Sequence, residues 1–230
     1  MQKLPLITNW LMAWELIEKE FNLKVSLDQQ NKTQLFYKIL FETNQFMNLT
    51  RLSSEEDFLT FHLLDTIMLL SAISKLKLPE NIKYLDLGSG GGIPGIILHI
   101  LSQSINLKPE TYLCDSRQKK ANYLRKVAEE LTLNSINISH ERAEILKTKQ
   151  NYKRQFDLIT ARAFAKPLEC LNAVKPFLKP NGYFLAQSTT NLNEDSAYQE
   201  ALSNFKLNLE EIIEFDLADK KRFILIIQKN

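Results

Sequence analysis

The sequence predicts an α/β fold: a Rossmann-like, mostly parallel seven-stranded sheet with a C-terminal antiparallel hairpin and an N-terminal helical cap. Three observations predict it. From residue 82 onward, short β-rich runs alternate with helical stretches, a pattern that builds βαβ units and a parallel sheet. The glycine-rich stretch LDLGSGGGIPG, residues 85–95, completes the first of those runs. The last two runs are parted only by a short turn around residues 218–221, and strands joined so closely are antiparallel, because a parallel crossover takes about a dozen residues or more.

Taken in order, residues 9–21 and 28–43 read as amphipathic helices. The second opens at Ser26-Leu27-Asp28-Gln29, a capping box. A third helix is expected from 54 to 76, with Leu63, Leu64, Ile67, Met68 and Leu70 on its buried side. Pro79 closes the helical region and no Gly- or Ser-rich linker follows, so residues 1–78 are expected to form a helical cap packed on a domain of residues 79–230. The strands of that domain are expected at 82–87, 111–114, 136–139, 156–159 and 183–186, with 209–215 and 223–227 forming the hairpin.

With 230 residues, 44% of them hydrophobic, the chain can bury one ordinary core plus an extension. Its two cysteines, Cys114 and Cys170, lie in apolar stretches, which argues against a disulfide framework or a metal site and for reduced cytoplasm. The apolar start, residues 4–16, is too short to span a bilayer and runs into Glu15, Glu18 and Glu20, so neither an export signal nor a membrane span is expected. The net charge of +2 hides an uneven distribution, since residues 116–180 hold fourteen Lys and Arg against six Asp and Glu. Arg117, Lys119, Lys120, Arg125 and Lys126 follow one another there with no acidic residue between them, either a solvated helix face or a patch turned toward nucleic-acid phosphates.

The glycine stretch has two readings. Residues 90–95 satisfy the dinucleotide pattern G-x-G-x-x-G, and residues 86–92 spell D-x-G-x-G-x-G. Both cofactor types take an acidic residue at the end of the second strand for ribose hydroxyls, and Asp115 serves either. Asp86 discriminates: its carboxylate repels a pyrophosphate and attracts the sulfonium and ammonium of S-adenosylmethionine. Pro94 removes an amide that a pyrophosphate would use, and a terminal antiparallel hairpin is the usual ending of class I methyltransferases. A nicotinamide-dependent oxidoreductase is the disfavoured alternative, and an RNA-binding protein that holds the cofactor without turnover is another.

Methyl transfer from a sulfonium is an in-line displacement, so an acceptor with its own lone pair needs positioning more than a general base. No Asn/Asp-Pro-Pro-aromatic tetrapeptide follows the fourth strand, and both cysteines read as core residues. Guanine N7 is one acceptor of the remaining kind. Arg162, after the fourth strand, is placed to bind the methionine carboxylate or a substrate phosphate, or else to cap the strand end. His62 and Asp65, three apart on one helix, read from physics alone as a structural pair. No catalytic residue is assigned; His62, Asp65 and Arg162 are candidates for positioning.

The stretches MNLTRL (47–52), FHLLDT (61–66), DLGSGGGIPG (86–95), CDSRQKKANYLRKV (114–127), ERAEIL (141–146) and FDLITARAFA (156–165) resemble those of the bacterial 16S ribosomal RNA guanine-N7 methyltransferases, the glucose-inhibited division protein B family. The likeness spans about residues 44–187. It implies a class I S-adenosylmethionine-dependent methyltransferase acting on N7 of one guanine in the decoding-region hairpin of 16S rRNA. The substrate is expected to be the free RNA or the small subunit, and the protein is expected to be a cytoplasmic monomer without a metal. Another RNA substrate is the alternative. By position, the resemblance implies cofactor contacts at Gly88 and Ile93 in the loop that also holds Asp86 and Gly90, at Asp115-Ser116, at Ala143-Glu144 beside the adenine, and at Arg162. It also gives His62 and Asp65 a place in a family His-x-x-Asp pattern. Two departures are Phe61, where relatives carry Arg, and Ala186-Gln187-Ser188, where they carry Leu-Lys-Gly.

Overall fold

The computed structural model describes residues 2–51, 54–162, 166–193 and 195–230. The cap elements are β1 (Gln2–Leu4), α1 (Trp10–Phe21), α2 (Leu27–Met47), α3 (Glu55–Phe58), a π-helical segment (Leu59–Leu64) and α4 (Asp65–Ile73). Then come β2 (Asn81–Leu87), α5 (Gly95–Leu101), β3 (Lys108–Cys114), α6 (Gln118–Glu130), β4 (Ile136–Ser139) and α7 (Ala143–Leu146). The chain ends with β5 (Phe156–Arg162), α8 (Pro167–Val174), β6 (Leu178–Ser188), α9 (Ser196–Phe205), β7 (Leu207–Leu217) and β8 (Lys220–Lys229). The strand order is β1-β7-β8-β6-β5-β2-β3-β4. Only the pairings of β8 with β6 and with β7 are antiparallel, so the expected parallel sheet with its closing hairpin is present.

Two features depart from expectation. The sheet has eight strands rather than seven, because Gln2–Leu4 lies parallel to β7, with Gln2 opposite Phe215. Three residues carry no alternation that a strand prediction can use. The third helix is also not a single α-helix, since residues 59–64 adopt π geometry between α3 and α4, an insertion frequent at functional sites.

The capping box of α2 forms as read: Gln29 donates its amide N–H to the Ser26 hydroxyl, and the Ser26 amide donates to Gln29 Oε1. Gln29 also reaches outward, its Nε2 donating to the Ile100 carbonyl at 2.9 Å. The cap and one face of the sheet share a core in which Phe36, Leu63, Leu64 and Ile67 pack with Ile96, Leu124 and Leu158. A second core, built on Phe156, Phe177 and Phe184, fills the other face. β2 pairs with β3 on one side and β5 on the other. Strand order therefore reverses at β2, and ligands of open α/β sheets bind beyond the carboxyl ends of the strands at such a point.

Candidate active site

The loop after β2 is stitched down by its own polar groups. Gly88 and Ser89 both donate their amides to the Cys114 carbonyl, each at 2.9 Å, and Ser89 Oγ accepts from the Cys114 amide at 3.1 Å while donating to the Asp86 carbonyl. Asp115 ties the next strand to the loop: Oδ2 accepts from the Gly90 amide at 3.0 Å and Oδ1 from the Arg117 amide at 2.8 Å. Gly88, Gly90 and Gly92 hold positive φ, a conformation glycine adopts without a Cβ penalty.

Asp86 lies behind this loop. Its side chain is 1% exposed, Oδ2 accepts from the Gly95 amide at 3.2 Å and Oδ1 from the Thr160 hydroxyl at 2.9 Å. Tyr84 completes the chain by donating to Thr160 Oγ1. Burial outweighs these bonds and pushes the carboxyl up to about 6. The close approach of Gly95 is obligatory, because a Cβ there would lie 2.6 Å from both Asp86 Oδ2 and Leu113 Cδ2.

In front of the loop opens a cleft of about 410 Å³ lined by Gly88, Gly90, Asp115, Ser116, Ala143 and Glu144. Six of the residues expected at the cofactor thus meet in one place. Asp86 and Ile93 do not line it, and Arg162 lies in another cavity. Sequence reasoning passed over Glu141 in the same cleft; its Oε1 bonds Lys149 at 2.6 Å, while its Oε2 is buried with no partner among the described residues. Its signal was its place in the ERAEIL stretch, beside Ala143-Glu144.

The second cavity, about 820 Å³, opens at the carboxyl ends of β5 and β6 and holds all three positioning candidates. Arg162 Nη1 donates to the Phe61 carbonyl at 3.3 Å and contacts Asp65 Oδ2 at 3.5 Å, while Nη2 lies 3.0 Å from His62 Nδ1. Nδ1 also lies 3.1 Å from the Phe61 carbonyl, but that carbonyl already accepts from Arg162 and a guanidinium only donates, so the arrangement is satisfied with Nδ1 accepting and the imidazole proton on Nε2, 2.9 Å from Thr50 Oγ1. Burial, then the Arg162 charge, hold His62 well below its usual range, so the ring is neutral. Burial raises Asp65, against the pull of Arg162 and Arg222. Gln187, paired in register with Arg162, donates Nε2 to the Asp65 carbonyl at 3.2 Å. Residues 163–165, the end of the ARAFA stretch, lie outside the described residues.

The basic residues of α6 divide. Lys120 lines the cleft beside the glycine loop, Arg125 donates to Asn122 and the Ile138 carbonyl, and Lys126 pairs with Glu130 at 3.4 Å. Arg117 is at the cleft rim and Lys119 is exposed on the helix. No group of three or more His, Cys, Asp or Glu suited to a metal occurs among the described residues, and no described helix is long and apolar enough to cross a membrane.

A family model described as GidB, rRNA small subunit methyltransferase G, matches residues 29–222. The chain belongs to this family. The ribosomal RNA small subunit methyltransferase G of Dictyoglomus thermophilum is 36% identical over 218 residues, 93% of this chain and 88% of the relative. That of Caldanaerobacter subterraneus subsp. tengcongensis is 34% identical over 198 residues, 85% and 80% of the two chains. In fold, the chain is similar to a crystal structure of a SAM dependent methyltransferase from Aquifex aeolicus, with a TM-score of 0.56 and 18% identity, over 80% of this chain and 97% of that one. Membership in the methyltransferase G family removes the oxidoreductase reading of residues 90–95. The family match runs from inside α2 to β8 and takes in the lining of both cavities.

Proposed function

We propose that this methyltransferase transfers the methyl group of S-adenosylmethionine to N7 of one guanine in the decoding-region hairpin of 16S rRNA, acting as a cytoplasmic monomer on the free RNA or the small subunit. The observation that carries the reading is the absence, among the described residues, of a usable base beside a cavity of base-binding size. His62 spends both nitrogens on Arg162 and Thr50, and the buried Asp65 carboxylate faces Arg162. Neither is free to take a proton from substrate. N7 has a lone pair and no proton, so it suits a site that positions rather than deprotonates.

The cofactor supplies an electrophilic methyl on a sulfonium. The cleft's volume falls in the range of small-molecule sites, about 300–1,000 Å³, and the orphaned Glu141 Oε2 is an acceptor suited to an adenosine N–H or hydroxyl. Asp115 and Ser116 are assigned to the ribose, Ala143 and Glu144 to the adenine, and Gly88 and Gly90 to the methionine end. Ile93 braces the loop from behind. Asp86 acts across the loop backbone as a fixed negative charge toward the sulfonium. Arg162, held in one orientation by Phe61, His62 and Asp65, binds the methionine carboxylate or a substrate phosphate, and the α6 cations Arg117, Lys119, Lys120, Arg125 and Lys126 are assigned to rRNA phosphates.

Mapping 7-methylguanosine in rRNA from cells lacking the protein, by borohydride reduction and aniline cleavage, tests this reading. The expected result is loss of one cleavage site in the decoding-region hairpin, restored by the wild-type chain; methylation that persists there rules the reading out.

A further inference from the structure

The two large cavities at opposite ends of the sheet treat charge differently. At the amino ends of the strands, a cavity of about 730 Å³ is lined by Lys32, Lys83, Lys108 and Lys179. Each of these lysines is paired with a carboxylate: Asp28, Glu110, Glu80 and Asp157. At the carboxyl ends, the cavity holding the His62 and Arg162 cluster is lined by Arg51, Arg162, Lys220 and Arg222, against the single carboxylate of Asp65 among the described residues. Asp65 is already engaged by Arg162, and Arg51, Lys220 and Arg222 form no salt bridge with any described residue.

The placement of Lys220 is specific. Its Nζ sits 4.3 Å above the ring of Phe61, the position where the family pattern has Arg, so β8 delivers a positive charge to the place from which the sequence departure removed one. Arg222 follows two residues later on the same face of β8 and acts electrostatically on both Asp65 and Arg162. Uncompensated cations around a concave site focus potential and attract an anion, and a cavity of about 820 Å³ takes a nucleotide with its phosphates at the rim.

We propose that Lys220, Arg222 and Arg51 form a clamp for the RNA phosphates that flank the target nucleotide, supplying from β8 and the α2–α3 connection the grip lost at position 61. The clamp rests on the reading that the substrate is rRNA and is independent of which base atom is methylated.

The test is the salt dependence of binding to small ribosomal subunits from cells lacking the enzyme. Lys220→Gln and Arg222→Gln should each weaken binding several-fold and lower the slope of log K against log salt by about one, with S-adenosylhomocysteine affinity unchanged. Lys220→Arg and Arg222→Lys should restore both quantities. Lys83→Gln and Lys108→Gln, in the paired cavity, should change neither. An unchanged slope in the Gln variants overturns the clamp, as does a loss of subunit binding matched by an equal loss of S-adenosylhomocysteine affinity. If the wild type binds through these residues but methylates another atom, the guanine-N7 reading fails and the clamp stands.

Discussion

Asp86 is ionised at neutral pH only at the expense of folding stability. Its carboxyl titrates at about 6 in the folded chain against 3.8 for an exposed group, so between those values the folded state binds the proton more tightly than the unfolded state. Its contribution to stability is therefore full below pH 3.8, falls as pH rises, and is lost above about 6. Asp86→Asn removes the titration without removing the bonds, because the new amide oxygen still accepts from Gly95 while Thr160 can turn to accept from the new NH2 and donate to the Tyr84 hydroxyl. The stability of the wild type minus that of D86N should fall by about 3 kcal/mol between pH 3.8 and 6, read from urea midpoints. The same variant should bind S-adenosylhomocysteine normally and S-adenosylmethionine more weakly; equal affinity for both means the charge is not sensed. Gly95→Ala forces a methyl against Asp86 and Leu113 and should cost about 1–3 kcal/mol in the same melts. Arg162→Lys keeps the charge and loses the fork held by three partners. Labelled-methyl transfer should fall about ten-fold, the equivalent of one charge-assisted hydrogen bond.

The elements that announce themselves are those with local signals. The Ser26 to Gln29 box, the seven strands with β-rich runs and the closing turn are legible because each depends on neighbours in sequence. The π segment is not, since its composition, LTFHLL, continues the apolar pattern of a helix without proline or glycine. Nor is β1, whose partner β7 lies more than two hundred residues away. The same limit applies to the site. Of the six cleft residues, Asp115 was readable from its place at a strand end and Gly90 from the glycine pattern, Gly88, Ser116, Ala143 and Glu144 came from the family resemblance, and the α6 charges were readable as a run, whereas Arg51, Lys220 and Arg222 converge from separate segments and form no run. The π segment has a structural duty that can be measured. Thr60 is fully buried and its hydroxyl accepts from the Ile7 amide at 2.9 Å, so Thr60→Val should strand that amide and cost about 1–3 kcal/mol.

Across the whole molecule, the N-terminal segment ties the sheet edge to the cap: the Leu4 carbonyl accepts from Ala218, and Ile7, with no exposed surface, packs into the shared core. Ile7→Ala should cost about 2–5 kcal/mol, the usual range for a large aliphatic side chain removed from a core. The cap also reaches the glycine loop. A Cβ on Gly91 would meet Leu40 at 3.3 Å and Leu49 at 3.4 Å, so α2 and the segment after it rest directly on the glycines. A fragment of residues 79–230 would uncover those glycines and half of the shared core, and should be recovered unfolded or without S-adenosylhomocysteine binding in calorimetry. The seam at residue 78 is expected to mark a change of secondary structure and not a boundary between parts that fold alone. Grafting this cap onto another methyltransferase core, or this core beneath another cap, means rewriting the glycine loop as well, because Leu40 and Leu49 of the cap and Gly91 of the loop are two sides of one contact.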